Sequence, residues 1–247
     1  MIIKRDYYLK KIIDKRENGK IKIITGIRRC GKSYLLFNLY QEYLLSKGVK
    51  ENQIISIALD EIDNLEYRNP FRLNEYIKEK TKNRNTKYYI FIDEIQLSIA
   101  VSNPYVDSKE KNVTFVDVLL GFMKHSNLDI YVTGSNSKML SSDVLTQFRD
   151  RGDEIHVNPL SFAEIYDLYE NEKLAFEHYT VYGGMPYIYR LKSDEEKNQY
   201  LKDLFQETYI KDILERNNIQ NEKEVLELLL DFTSSAIGSL TNPTKLS

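Results

Sequence analysis

Along the chain, apolar positions switch between a helical and an extended period, and the switches lay out the elements. Tyr8, Leu9, Ile12 and Ile13 share one face of a helix predicted over residues 6–16, which Glu17-Asn18-Gly19 ends. An apolar strand follows at 21–25. After a glycine-bearing turn, Tyr34, Leu35, Leu36, Leu39, Tyr40, Tyr43 and Leu44 recur at helical spacing as far as Lys47-Gly48. A strand at 53–59, an acidic connection at 60–69 and a helix at 71–81 come next, with Pro70 just ahead of the helix. A buried-type strand at 88–92 then runs into Asp93 and Glu94. Residues 98–111, with Asn103-Pro104 and mixed charges, read as an exposed inserted loop. Beyond it the pattern predicts a helix at 113–124, a strand at 129–133, a turn at 134–137, a short helix at 142–148 and a strand at 154–157. Short apolar strands alternating with helices predict an α/β fold, a parallel sheet covered on both faces.

After Asn158-Pro159 the pattern turns helical. A capping box, Ser161 with Glu164, opens a helix at 161–169. Another at 174–182 is stopped by Gly183-Gly184-Met185-Pro186, and amphipathic helices follow at 195–216 and 222–232. The expected division is an α/β core of residues 1–159 followed by all-helical segments over 160–220 and 221–247. Leu240 to Ser247 reads as a turn and a helix start, either a frayed terminus or a chain cut inside a further domain.

Charge and composition narrow the function classes. The 35 Lys+Arg nearly balance the 37 Asp+Glu, a formal charge of −2, so only a local basic patch could argue for nucleic acid. The single cysteine excludes a disulfide framework and a cysteine-based zinc cluster, and His125, His156 and His178 lie in no ligand spacing. No apolar run approaches the roughly 20 residues that cross a bilayer, and no signal-peptide core follows the first lysines. The expectation is a cytoplasmic protein with no membrane partner.

Candidate chemistry begins at Gly26-Ile27-Arg28-Arg29-Cys30-Gly31-Lys32-Ser33, a full G-x-x-x-x-G-K-S between a strand and a helix. Its glycines let the backbone curl so that N–H groups converge on phosphate oxygens, and the helix from Tyr34 onward adds its N-terminal donors. Lys32 can reach the β and γ phosphates, and the Ser33 hydroxyl can ligate Mg²⁺. Cys30 is either a small loop-filling residue or a thiol whose pKa the loop amides and Lys32 lower. Arg28 and Arg29 either shield phosphate or are solvated. Some 60 residues on, Asp93 would hold Mg²⁺ through water and Glu94 would polarise an attacking water. At the end of the next strand, Ser135 and Asn136, after Thr133-Gly134, could contact the γ phosphate. Arg149 and Arg151 could meet developing phosphoryl charge as a finger.

With these segments the chain resembles the AAA+-type P-loop ATPases of bacteria and archaea in which an ATPase domain precedes a domain of unknown function, the DUF4143 type. The likeness extends to Tyr131–Ser137, Phe148-Arg149-Asp150-Arg151-Gly152, Pro159–Glu164, Gly183–Pro186 and Glu207–Ile213. The resemblance implies a three-layer P-loop NTPase sandwich with strand order 5-1-4-3-2, a helical lid and the start of a winged-helix-like segment. It makes Thr133–Asn136 the first sensor position and Arg151 an arginine that follows a glycine in the family; here Asp150 stands in that glycine's place. ATP/ADP and Mg²⁺ are the implied ligands, adenine resting mainly on the resemblance because no guanine-reading N-K-x-D occurs. Hydrolysis coupled to a conformational change is the first functional expectation. A nucleotide-gated scaffold or DNA-associated switch that hardly hydrolyses is the alternative, with a nucleic-acid module and a metabolite kinase behind them. Expected partners are a second copy of the chain, an unidentified protein and nucleic acid reached through a segment beyond Ser247.

Overall fold

The computed structural model describes residues 3–105, 112–134, 148–206, 228 and 231–235. The chain falls into two compact units, Met1–Arg190 and Leu191–Ser247.

The first unit is built on β1 (Ile21–Thr25), β2 (Ile54–Ala58), β3 (Tyr88–Asp93), β6 (Leu128–Thr133) and β7 (Gly152–His156), all parallel, in the order β2-β3-β6-β1-β7. Numbered among themselves, these five strands run 5-1-4-3-2, as expected. Every residue of β1, β3 and β6 is buried, which is why they read as mostly apolar runs, β1 and β6 each broken by one charge, whereas the edge strand β2 alternates. Successive side chains leave opposite faces. Ile23, Ile90, Ile92, Ile130 and Val132 pack beneath Leu73 and Ile77 of α4 (Pro70–Lys80) and Leu119 and Phe122 of α5 (Phe115–Phe122). On the other face Ile24, Tyr89, Phe91, Tyr131 and Ile155 meet Ile12 of α1 (Asp6–Asp14) and Leu35, Leu36, Tyr40 and Leu44. The result is a three-layer α/β sandwich.

The helix after the phosphate-loop motif starts as α2 (Lys32–Tyr34), widens into a π-helical stretch at Leu35–Tyr40 and continues as α3 (Gln41–Ser46). Periodicity alone predicts one regular helix there. Three further expectations are corrected. The connection at 60–69 carries a 3₁₀ helix, Ile62–Arg68. The inserted loop at 98–111 is closed by two short antiparallel strands, β4 (Val101–Ser102) and β5 (Asn112–Val113), two residues being too few to leave a period-2 signal. The single helix at 161–169 is instead α6 (Phe162–Ile165) followed by a 3₁₀ turn, Tyr166–Leu168. Its capping box is present as read.

A third cluster, Leu160, Ile165 and Ala175 with Ile3, Phe162, Tyr179 and Tyr189, gathers the N-terminal segment and α7 (Glu172–Tyr182). Gly184 lies directly against this cluster's main chain. Leu160 N–H donates to Gly184 O at 2.7 Å, and a Cβ on Gly184 would stand 1.9 Å from Leu160 O. Only glycine permits that approach.

In the second unit α8 (Asp194–Asp203) opens on Ser193, whose side chain caps Glu196 N–H. The predicted helix at 195–216 is described as far as residue 206, and that at 222–232 only at Leu228, Asp231 and Phe232. Residues 142–147 and 236–247 lie outside the described set. Among the described residues no helix is long and apolar enough to cross a membrane.

Candidate phosphate and hydrolysis site

Parallel strands bring their C-terminal ends to one edge of the sheet, where the motifs meet. β1 delivers Gly26 to this edge, β6 delivers Thr133, and β3 delivers Asp93 and Glu94. β6 lies between β1 and β3, so the loop and the acidic pair are separated by two strand spacings, about 10 Å.

Gly26 and Gly31 are glycines for different reasons. Gly26 has φ +146°, and a Cβ on it would stand 2.2 Å from Val157 O and 2.9 Å from Cys30 Sγ, so space forbids a side chain. Gly31, at φ +98° and ψ 22°, is the left-handed N-cap of α2; a Cβ there would make only ordinary contacts, 3.5 Å to Arg5 Nη1 and 3.6 Å to Pro186 Cγ. Its backbone angle is what requires glycine. Arg29 also has positive φ, 63°, and Arg28 and Arg29 both expose their side chains. Ile27, Ser33 and Tyr34 are half-buried.

Lys32 is buried, and its ammonium donates to Gly26 O and Ile27 O, both at 3.0 Å. Cys30 is fully buried and donates to Val157 O at 3.3 Å. Burial pushes its thiol pKa up, against the opposing charges of Lys32 and Arg5. That overturns the lowered pKa and leaves Cys30 the loop-filling residue, because desolvating a thiolate outweighs nearby positive charge here.

Across the edge, the Thr133 hydroxyl donates to Asp93 Oδ1 and accepts from Glu94 N–H at 3.3 Å. Glu94 is in the left-handed region, φ 51° and ψ 46°, which turns its side chain out of the strand's alternation. Gln96 Nε2 donates to Glu94 Oε2. Burial, reinforced by Asp93, raises the Glu94 pKa above its ordinary value, while the Gln96 bond and the Lys32 charge oppose the shift.

The donor set fits a hard cation. Asp93 offers carboxylate oxygen and Ser33 a hydroxyl, both suited to Mg²⁺. Among the described residues no three His, Cys, Asp or Glu converge, so phosphate and water would complete such a shell. Arg151 is exposed on the 3₁₀ turn Arg149–Arg151; Ser135 and Asn136 lie outside the described residues, as does the Glu207–Ile213 segment.

Sequence reasoning passed over Arg5. Its side chain is 2% exposed, and all three guanidinium nitrogens are engaged: Nε with Glu164 Oε1 at 2.7 Å, Nη1 with Cys30 O at 2.9 Å and Nη2 with Asn158 O at 2.7 Å. The guanidinium also lies 4.6 Å from the Tyr8 ring centroid. One basic residue ahead of an amphipathic helix carries no signal for any of this. Equally unannounced is the buried Lys22–Asp129 ion pair, towards the other end of the strands.

A family model described as an AAA domain matches residues 18–166, more than half of the chain. The chain belongs to the AAA domain family. In this AAA protein the P-loop ATPase domain is followed by a distinct domain of unknown function, DUF8612, matched over residues 173–247. An uncharacterized protein of Haemophilus influenzae is 30% identical over 253 residues, covering 100% of this chain and 59% of its own length. The uncharacterized protein MJ1544 of Methanocaldococcus jannaschii is 30% identical over 241 residues, covering 91% of this chain and 47% of its own. The chain therefore spans about half the length of these curated relatives. A solved structure of the Drosophila ORC bound to DNA aligns at TM-score 0.38 and 12% identity, covering 62% of this AAA chain and 88% of that one.

Proposed function

We propose that this protein binds ATP with Mg²⁺ and hydrolyses it, coupling the cycle to a conformational change. One observation supports the reading above the others. Glu94, a half-buried carboxyl with a raised pKa, sits on the same sheet edge as the Gly26–Ser33 loop, next to an Asp93 bonded to Thr133. On this reading Gly26–Ser33 cradles the phosphates and Lys32 leaves the Gly26 and Ile27 carbonyls to neutralise phosphate charge. Mg²⁺ held by Ser33 and Asp93 would offset charge on the phosphate oxygens. Glu94 takes a proton from the attacking water. Ser135, Asn136, Arg149 and Arg151 are assigned auxiliary contacts with the γ phosphate.

The test is calorimetric titration with ATP, ADP and GTP, with and without Mg²⁺, alongside phosphate release. Lys32→Ala is expected to weaken Mg²⁺-dependent adenine-nucleotide binding about 10- to 100-fold, the loss of charge-assisted bonds to phosphate. Glu94→Gln should bind as wild type yet release phosphate at least about 100-fold more slowly. The pH profile carries its own sign. Glu94 works ionised, so the rate should fall as pH drops through its pKa, an acid limb that Glu94→Gln lacks. Binding unaffected by Lys32→Ala would remove the loop from the site.

A nucleotide-gated switch with little hydrolysis is the second reading. The Gln96 bond on Glu94 favours it, since that bond occupies one of the two carboxylate oxygens that a water would use. Tight binding with phosphate release no faster than in Glu94→Gln would select it. A second copy of the chain, another protein or nucleic acid as partner belongs to the proposal on either reading.

A further inference from the structure

Resting on that nucleotide reading, we propose that Arg5 is a positioning residue for the phosphate loop, gripping it from outside and setting the direction of an inward-facing amide. The peptide unit between Cys30 and Gly31 is planar and trans, so its C=O and N–H point in opposite directions. Arg5 Nη1 holds Cys30 O at 2.9 Å. With the carbonyl fixed on the outer side, the Gly31 N–H is turned the other way, at the N-terminus of the helix that starts with Lys32. An N–H directed inward there is what a phosphate oxygen requires.

Arg5 is itself immobilised. Nη2 holds Asn158 O, in the chain leaving β7, and Nε holds Glu164 Oε1. The other Glu164 oxygen accepts from Ser161 N–H at 2.8 Å and Ser161 Oγ at 2.9 Å, fixing the carboxylate in its capping box. From beyond, Pro186 approaches the same face of Gly31, held there by the close packing of Gly184 on Leu160. The Gly183–Pro186 turn thereby acquires a role that its motif does not state. It backs the loop, and Arg5 clamps it. A lysine at position 5 could keep a charge but could not reach three separate acceptors in a fixed plane.

Three variants of the full chain, Arg5→Lys, Arg5→Ala and Glu164→Gln, separate positioning from stability. Glu164→Gln removes the charge of the anchor and leaves the Cys30 and Asn158 carbonyls to Arg5. For each, the thermal midpoint is measured, then MgADP and MgATP affinity by calorimetry well below that midpoint, and hydrogen exchange of the Gly26–Ser33 segment without nucleotide. The expected result for Arg5→Lys is a loss of about 10-fold or more in affinity for both nucleotides, with faster exchange confined to the loop. Glu164→Gln, which loosens Arg5 but keeps it on the Cys30 carbonyl, should lower the midpoint and lose clearly less affinity than Arg5→Lys. A purely structural Arg5 would shift midpoints and leave the affinity of folded protein unchanged. Wild-type affinity and exchange in Arg5→Lys, or an equal affinity loss in Glu164→Gln, overturns the proposal with the nucleotide reading intact. A wild-type chain that binds no nucleotide overturns that reading, and this role with it. Should Arg5→Ala not fold, Arg5→Lys and Glu164→Gln carry the comparison.

Discussion

Replacing Asp129 by alanine is expected to destabilise the fold by about 3–5 kcal/mol, the cost of stranding a buried charge. Lys22 is 0% exposed and Asp129 2%, and their ion pair joins neighbouring strands β1 and β6. Asp129 also accepts from Tyr131 OH at 2.7 Å and from Glu17 N–H at 2.9 Å, and Tyr131 shares a 2.6 Å hydrogen bond with Tyr40. Alanine would leave the Lys22 ammonium, a phenol and a main-chain donor without their shared acceptor. Denaturant unfolding measures the loss, and a deficit below about 1 kcal/mol would refute it.

The pH dependence of that variant has a definite sign. Burial lowers the Lys22 pKa from its ordinary value of 10.5, and Asp129 partly restores it. Without Asp129 the folded-state pKa drops further. Between that value and 10.5 the unfolded chain binds the proton that the folded chain has lost, so stability rises with pH and the deficit narrows on the alkaline side. Lys22→Met should cost less than Asp129→Ala, because Asp129 keeps two donors. The double change to Met and Leu should recover only the part due to the stranded ammonium, because the Tyr131 phenol and the Glu17 N–H still lose their acceptor.

Gly26→Ala is expected to cost about 3 kcal/mol or more, from the strain of overpacking together with a positive φ. The obstacle is main chain: Val157 O would lie 2.2 Å from the new methyl, and Val157 N–H is tied to Thr25 O at 2.8 Å. Neither side can give way without moving β1 or the segment after β7. At a few degrees per kcal/mol for a chain of this size, the midpoint should fall by about 6–12 °C. Nucleotide affinity should fall with it. Gly31→Ala is the control. It meets no contact shorter than 3.5 Å, so only its backbone angle opposes the methyl, at about 1 kcal/mol. Equal losses in the two variants would contradict this division.

What could be read ahead of the structure was local along the chain. Gly26, Gly31, Lys32 and Ser33 lie within one turn and one helix start, and the buried strand before Asp93 announces itself by composition. Strand order followed from the family resemblance alone, since local pattern does not say which parallel strands are neighbours. Arg5 was illegible because its acceptors lie 25, 153 and 159 residues away and two of them are carbonyls, which every residue type carries. Lys22 and Asp129 were hidden differently. Each is one charge in an apolar run, and only the β1–β6 pairing brings them together. The π-helical stretch Leu35–Tyr40 has no residue signature either; it shows only in the wider main-chain hydrogen-bonding of that turn.

The strand order also dictates a schedule of assembly. β2 and β3 are joined by α4 and pair directly, so that unit can close while the chain is still being synthesised. β1 cannot. Its first sheet partner is β6, at Tyr131–Thr133, and its second is β7, at Gly152–His156. Until the ribosome has passed those positions, Ile21–Thr25 has no sheet partner, and pairing it means closing a large loop. The segment that would grip phosphate is therefore among the last pieces of the domain to be set, and nucleotide can reward folding only after the sheet is nearly complete.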